Sequence, residues 1–515
     1  MIKANQITLG EHCTVDDVAA VAWNKEIKVV ISDQNRQVIE KSHQVVKDIT
    51  ENEKVVYGVT TGFGMFKNKF IGKDKVSQLQ TNLIRSHAIG TGEPFTEAVV
   101  RAAIFIRANS LARGNSGVRL KLIESLVNLL NNGIYPYIPS QGSVGCSGDL
   151  APLSHLTLAM MGEGEVFDNG LRRPSAEVLS RHNLQPIVLE AKEGLAMNNG
   201  TSFMTAIACL NLVEGERLSK SYDLILALSL EGLSGTLAAY EDRVHQLRPH
   251  QGQITVAANV RQIAQGSRIL AEYDQARQIQ DAYSLRCAPQ VQGAVKDTIN
   301  YVKGVVEIEI NSTTDNPLIF SESGEAVSAG HFHGQPISFV MDFLSMALSE
   351  LGNISERRCA KMVDKANSEG LPAFLIDEDK GGLNSGYMIS QYTAAALVAE
   401  NKVLAHPVSI DSIPTSANQE DHVSFGTIAA RQCSEIIQNV FGILAIEAMQ
   451  SAQAVEYRGV ERMSAGTKFV YDLIREKVRH LDHDRILYPD LESLKPEFAE
   501  GRILAKYEEK FGKLL

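Results

Sequence analysis

No stretch of this chain reaches the ~18 consecutive apolar residues expected of a membrane span. Met1 to Gly10 lacks the basic and apolar blocks of a signal peptide. Cysteine is sparse: Cys13, Cys146, Cys209, Cys287, Cys359 and Cys433 are widely dispersed and form no CxxC pair. That spacing speaks against a disulfide framework and predicts reduced thiols in a cytoplasmic protein. Nor is there an excess of base. A net charge of −11 speaks against a surface built for nucleic acid or an anionic membrane, each of which wants basic patches. Repeats of fixed period and low-complexity linkers are also missing.

What is there is ordinary globular material, with 44% hydrophobic and 22% charged residues. At 515 residues the chain is long enough for several domains of roughly 100–200 residues, or for one large helical core with an attached N-terminal region. Residues 1–200 mix short apolar alternation, helical stretches and glycine-rich loops; from about 201 to 515 helical patterns dominate. Thr14-Val15-Asp16-Asp17 reads as an N-cap with acidic first-turn residues. Ile337, Val340, Phe343, Leu344, Ala347, Leu348 and Leu351 recur at helical spacing, and Ile436 to Ala454 is apolar nearly all round. The expected class is mainly α, a long helical bundle core behind an N-terminal mixed region.

The most informative stretch is Gly142-Ser143-Val144-Gly145-Cys146-Ser147-Gly148-Asp149-Leu150-Ala151-Pro152-Leu153-Ser154-His155. Its glycines permit a backbone folded tightly on itself. With Ser147 between Cys146 and Gly148, the Gly148 amide nitrogen can approach the Cys146 carbonyl carbon, where a Cβ would obstruct it. An ordinary glycine–serine loop is the competing reading. A hydrolase elbow is not, because Gly-x-Ser-x-Gly needs one residue more.

Other segments carry polar groups in suggestive company. Tyr57-Gly58-Val59-Thr60-Thr61-Gly62-Phe63-Gly64 opens a glycine loop on a tyrosine but fits no phosphate-binding pattern. Leu79 to His87 reads as the start of a helix bearing His87 on its polar face. Glu193 to Thr201 marks a helix entry around Asn198-Asn199-Gly200. Tyr283 and Arg286, in Gln280-Asp281-Ala282-Tyr283-Ser284-Leu285-Arg286, stand three apart and can share a helical face. A guanidinium there is a two-pronged partner for a carboxylate. His331-Phe332-His333 in a strand would put both imidazoles on one face, but no third ligand follows at metal spacing. Ser416 to His422 gathers acids, amides and an imidazole around Glu420.

Taken together and in this order, these motifs resemble the aromatic amino-acid ammonia-lyase and aminomutase family across roughly residues 50–460. The resemblance implies that Cys146-Ser147-Gly148 cyclises and loses water to give a 4-methylidene-imidazole-5-one group (MIO), with Ser147 becoming the methylidene and no metal required. It implies Tyr57 as catalytic base, Asn199 beside the group and substrate, and Arg286 on the substrate carboxylate, with Gln280, Tyr283 and Phe332 completing the wall. It also implies a homotetramer whose active sites are shared between chains. Ser86-His87 and Glu420 match the histidine-specific branch, since a carboxylate facing an imidazole can accept its N–H. The expected reaction is therefore deamination of L-histidine to trans-urocanate. Tyrosine or phenylalanine deamination, or an aminomutase reaction, is the alternative, and a non-catalytic helical assembly a further one. Four positions depart from the family pattern: Thr60 for asparagine, Cys146 for alanine, Asn198 for an aliphatic residue and His331 for asparagine.

Overall fold

The computed structural model describes residues 5–275 and 280–515. Helix dominates, and the sheets among the described residues are four small ones of two or three strands. The mainly helical class is thus as expected. The chain forms two compact units: Met1–Val213 with Lys303–Asp342 and Pro407–Arg431, and Glu214–Val302 with Phe343–His406 and Gln432–Leu515.

In the first unit, helix α1 (Val15–Trp23) opens on the anticipated cap. Thr14 Oγ1 accepts from the Asp17 amide at 3.2 Å, and the Asp17 carboxylate accepts from the Thr14 amide at 2.9 Å. Helix α2 (Val76–His87) begins three residues before Leu79, after a short turn at Lys73–Lys75, and ends at His87. Helix α3 (Glu97–Ala112) is buried without a break from Val100 to Ala112, so Arg101, Arg107 and Asn109 must find partners inside the protein. Helix α4 (Leu120–Asn132) stops at Gly133, whose φ of 69° ends it in the left-handed conformation. The loop at 142–149 then runs into α5 (Leu150–Met160). Glu165–Asp168 and Leu171–Pro174 pair as an antiparallel hairpin. The short helix α6 (Glu193–Asn198) breaks at Asn199-Gly200, and α7 (Ser202–Gly232) starts immediately after.

Three other long helices are α8 (Ala288–Ile310), α9 (Gln335–Val363) and α10 (Gly426–Glu456). The all-round apolar pattern of α10 is matched by burial of Ile436, Ile437, Val440, Phe441, Leu444 and Met449. A polar network sits within the second unit: the buried Glu447 carboxylate accepts from Arg358, Ser229 and Ser355. Such a network fixes helix register when every member is satisfied. In α9, Ile337, Val340, Leu344, Leu348 and Leu351 are buried, whereas Phe343 is exposed. Among the described residues α9 alone is long and apolar enough to cross a membrane by length and composition, with a mean hydropathy of 1.2 over its most apolar window. Of that window 61% is buried inside the protein, as in the core helix of a folded domain.

Candidate active site

The loop at 142–149 is clamped from two sides. On one side the Gly200 amide donates to the Ser147 carbonyl at 3.1 Å and the Asp149 amide donates to the Gly200 carbonyl at 2.7 Å. Gly148 (φ +80°) lies so close that a Cβ would fall 2.1 Å from the Gly200 carbonyl oxygen. A Cβ on Gly200 (φ +115°) would in turn fall 2.2 Å from the Thr314 carbonyl oxygen. Both positions therefore require glycine. On the other side the Phe425 amide donates to the Val144 carbonyl at 2.9 Å, and Ser424 Oγ donates to the Gly145 carbonyl at 2.9 Å.

Asp149 ties these pieces together. Fully buried, its carboxylate accepts from the amides of Phe203 and Met204 at 2.8 and 2.9 Å, at the N-terminus of α7. It also accepts from Ser143 Oγ at 3.1 Å and from Thr427 Oγ1. Burial pushes its carboxyl above the ordinary range, and the hydrogen bonds oppose that shift. Arg107, also fully buried, donates to the Asn199 carbonyl and, at 3.2 Å, to the Thr314 carbonyl. Its guanidinium is brought down to about 10 by burial. Lys192 and Asp315 form a second buried contact in this unit, at 2.7 Å. These supporting groups carry no motif of their own. Asp149 and Gly200 lie inside segments already singled out, but Arg107 and Thr427 are 92 and 278 residues from the atoms they hold.

Two cavities, of about 750 and 650 Å³, meet at the loop and share Tyr57, Gly64, Ser147, Asn199 and Glu420 as lining. The larger is walled by one face of α2 (Leu79, Leu83, Ser86 and His87), by Leu195 and Asn198 of α6, and by the loop after Tyr57. Residues spaced three and four apart on a helix line up in this way. The smaller is lined by Cys146, Phe332, His333 and His422 among others. Of the eleven residues singled out from the sequence, seven (Tyr57, His87, Cys146, Ser147, Asn199, Phe332 and Glu420) thus line these cavities, and Gly148 stands next to Ser147 in the same loop.

The Ser147 hydroxyl donates to Glu420 Oε1 at 3.0 Å, and Thr415 Oγ1 donates to Glu420 Oε2 at 3.0 Å. His87 uses Nδ1 on the Leu83 carbonyl at 2.8 Å and on Ser86 Oγ at 2.9 Å, so Nε2 is the ring atom left to meet a ligand. Burial raises the Tyr57 phenol, the Glu420 charge raises it further, and a backbone hydrogen bond from Gly64 opposes them. The Cys146 thiol is pushed up to about 12, first by burial and then by Glu420.

Gln280, Tyr283 and Arg286 belong to the second unit, and both cavities are lined by first-unit residues alone. The Arg286 guanidinium lies 4.5 Å from the centroid of the Tyr283 ring, and its Nε donates to the Asp281 carbonyl at 3.0 Å. Tyr283 is 71% exposed and Gln280 is exposed. His331-Phe332-His333 lies in a turn and loop, not a strand, because the chain is about to enter α9. His333 stacks on His422 with ring centroids 5.6 Å apart, while His331 is exposed. Thr60 is buried, where its hydroxyl donates to the Lys54 carbonyl at 2.5 Å and accepts from the Val56 amide at 3.0 Å. It lines neither cavity.

A family model described as aromatic amino acid lyase matches residues 13–476. The chain is 47% identical over 505 residues to a histidine ammonia-lyase of Natranaerobius thermophilus, covering 98% of this chain and 99% of that protein. It is 49% identical over 494 residues to one of Caldanaerobacter subterraneus subsp. tengcongensis, covering 96% of each. Among solved structures, tyrosine aminomutase from Streptomyces globisporus superposes with a TM-score of 0.94 at 37% identity, over 99% of both chains. Histidine ammonia-lyase from Trypanosoma cruzi does so with a TM-score of 0.90 at 38% identity, over 98% of this chain and 95% of that one. A glycine-clamped serine loop opening on a tyrosine, a histidine and a glutamate thus stands in a chain that belongs to the aromatic amino acid lyase family.

Proposed function

We propose that this chain is a histidine ammonia-lyase, a carbon–nitrogen lyase that converts L-histidine to trans-urocanate and ammonia. Relatives 47–49% identical over nearly their whole length bear that name. The observation that carries the reading is a shared cavity: Ser147 and Tyr57 face the same space as His87 and Glu420, two groups suited to an imidazole.

The tripeptide Cys146-Ser147-Gly148 fits the family's self-formed cofactor. Gly148 has no room for a Cβ, and the Ser147 hydroxyl already has a carboxylate partner. In cyclisation the Gly148 nitrogen bonds to the Cys146 carbonyl carbon, whose oxygen leaves as water. Ser147 then loses its hydroxyl and α-proton as a second water. The resulting methylidene-imidazolone supplies an electrophile for the substrate's amine.

The remaining work falls to side chains. Tyr57 as phenolate takes the β-proton, which is weakly acidic and needs a base held within reach. Arg286 pairs with the substrate carboxylate, His87 and Glu420 orient the imidazole, and Asn199, Phe332, Gln280 and Tyr283 close the wall. The last two and Arg286 arrive from neighbouring copies in a homotetramer. Such positioning converts binding energy into rate. Cys13, Cys146, Cys209, Cys287 and Cys359 form no disulfide, which suits a reduced cytoplasmic setting.

The test is turnover of L-histidine, L-tyrosine and L-phenylalanine by the purified protein, followed by absorbance and product chromatography. Urocanate from histidine is expected. Coumarate, cinnamate or a β-amino acid as the principal product moves the reading to the tyrosine, phenylalanine or aminomutase branch.

A further inference from the structure

Asn198 is fully buried and lines the larger cavity, and among the described residues neither its Nδ2 nor its Oδ1 has a hydrogen-bond partner. It sits three residues after Leu195, on the cavity-facing side of α6, and next in sequence to Asn199. A buried carboxamide with both ends unpaired is costly, and a leucine of similar size would fill the space without that cost. The position is therefore explained by something that enters the cavity and satisfies the amide.

We infer that Asn198 is a specificity residue that hydrogen-bonds a ring nitrogen of a nitrogen-heteroaromatic substrate. The inference rests on the histidine reading above and deepens it. A neutral imidazole has one N–H donor and one bare nitrogen acceptor, and a carboxamide has the complement of each. His87 and Glu420 in the same lining present acceptors, His87 through Nε2 when Nδ1–H is spent on Leu83. Asn198 is then the side chain whose N–H can serve the bare ring nitrogen. A hydrocarbon ring satisfies neither end of the amide, so Asn198 disfavours phenylalanine as well as favouring histidine.

The experiment measures calorimetric affinities of imidazolepropionate and phenylpropionate, which lack the amino group and do not react, for wild type, Asn198→Leu and Asn198→Ser. Thermal melts and L-histidine turnover accompany them. Asn198→Leu is expected to weaken imidazolepropionate by about tenfold or more, to leave phenylpropionate unchanged or tighter, and to melt no lower than wild type. Asn198→Ser, which keeps one hydroxyl, should retain part of the preference. An unchanged ratio of the two affinities overturns the inference. So does a lower melting temperature with equal loss of both ligands, which would make the amide structural. If wild type makes no urocanate and binds neither compound, the histidine reading itself fails, a result distinct from a lost preference alone.

Discussion

The Ser147 hydroxyl and the Glu420 carboxylate meet at 3.0 Å although 273 residues of chain separate them. Burial holds the Tyr57 phenol above its ordinary range, and the charge of the same carboxylate adds to that. One glutamate therefore touches the serine proposed to give the electrophile and biases the tyrosine proposed as the base.

The pH dependence follows from that second role. In the proposed mechanism Tyr57 acts when ionised, and a raised phenol ionises only as pH climbs, so kcat/KM for histidine should rise with pH above neutrality. Glu420→Gln removes a negative neighbour, lowers the Tyr57 value and should move that rise to lower pH, while KM for histidine increases. A pH–rate profile of both proteins checks this. A rise that stays put or moves upward contradicts it.

Gly148→Ala and Gly200→Ala each force a Cβ to within 2.2 Å of a carbonyl oxygen, at positive φ. Each should cost at least about 2 kcal/mol in urea unfolding. Gly304 in α8 has nothing within 4 Å of its would-be Cβ. Gly304→Ala should instead stabilise the chain by up to about 1 kcal/mol.

Asp149→Ala removes the acceptor shared by Phe203, Met204, Ser143 and Thr427. Loss of a buried, multiply bonded carboxylate is expected to cost about 3 kcal/mol or more. The variant should melt lower and should also fail to lose the two waters of cyclisation.

Thr60 departs from the histidine-specific pattern, yet its hydroxyl is spent inside its own turn. Thr60→Val should destabilise by about 1 kcal/mol. It should leave the ratio of histidine to tyrosine turnover unchanged, as competition assays would show.

The legible parts of the site were those where chemistry restricts residue type. A serine before a glycine permits the methylidene ring and a carboxylate suits an imidazole, so Ser147, Gly148 and Glu420 became legible once the motifs were taken together as a family resemblance. Helix class was legible because an all-round apolar run such as Ile436 to Ala454 has one stable fate, burial. The supports were not legible. Arg107 resembles any arginine in an apolar helix until its fold partner, the Asn199 carbonyl, arrives from 92 residues away. The start of the helix that bears His87 is not legible, because the turn at Lys73–Lys75 carries no capping signal. The vacant hydrogen bonds of Asn198 are a property of its surroundings, which a sequence does not contain.

The central claim is that this chain builds its own electrophile from Cys146, Ser147 and Gly148. Intact-mass spectrometry of the purified protein beside Ser147→Ala tests it most directly. The account predicts wild type lighter than its sequence by two waters and active on histidine, and the variant at full mass and inactive. A wild-type protein at full sequence mass that still makes urocanate would contradict it.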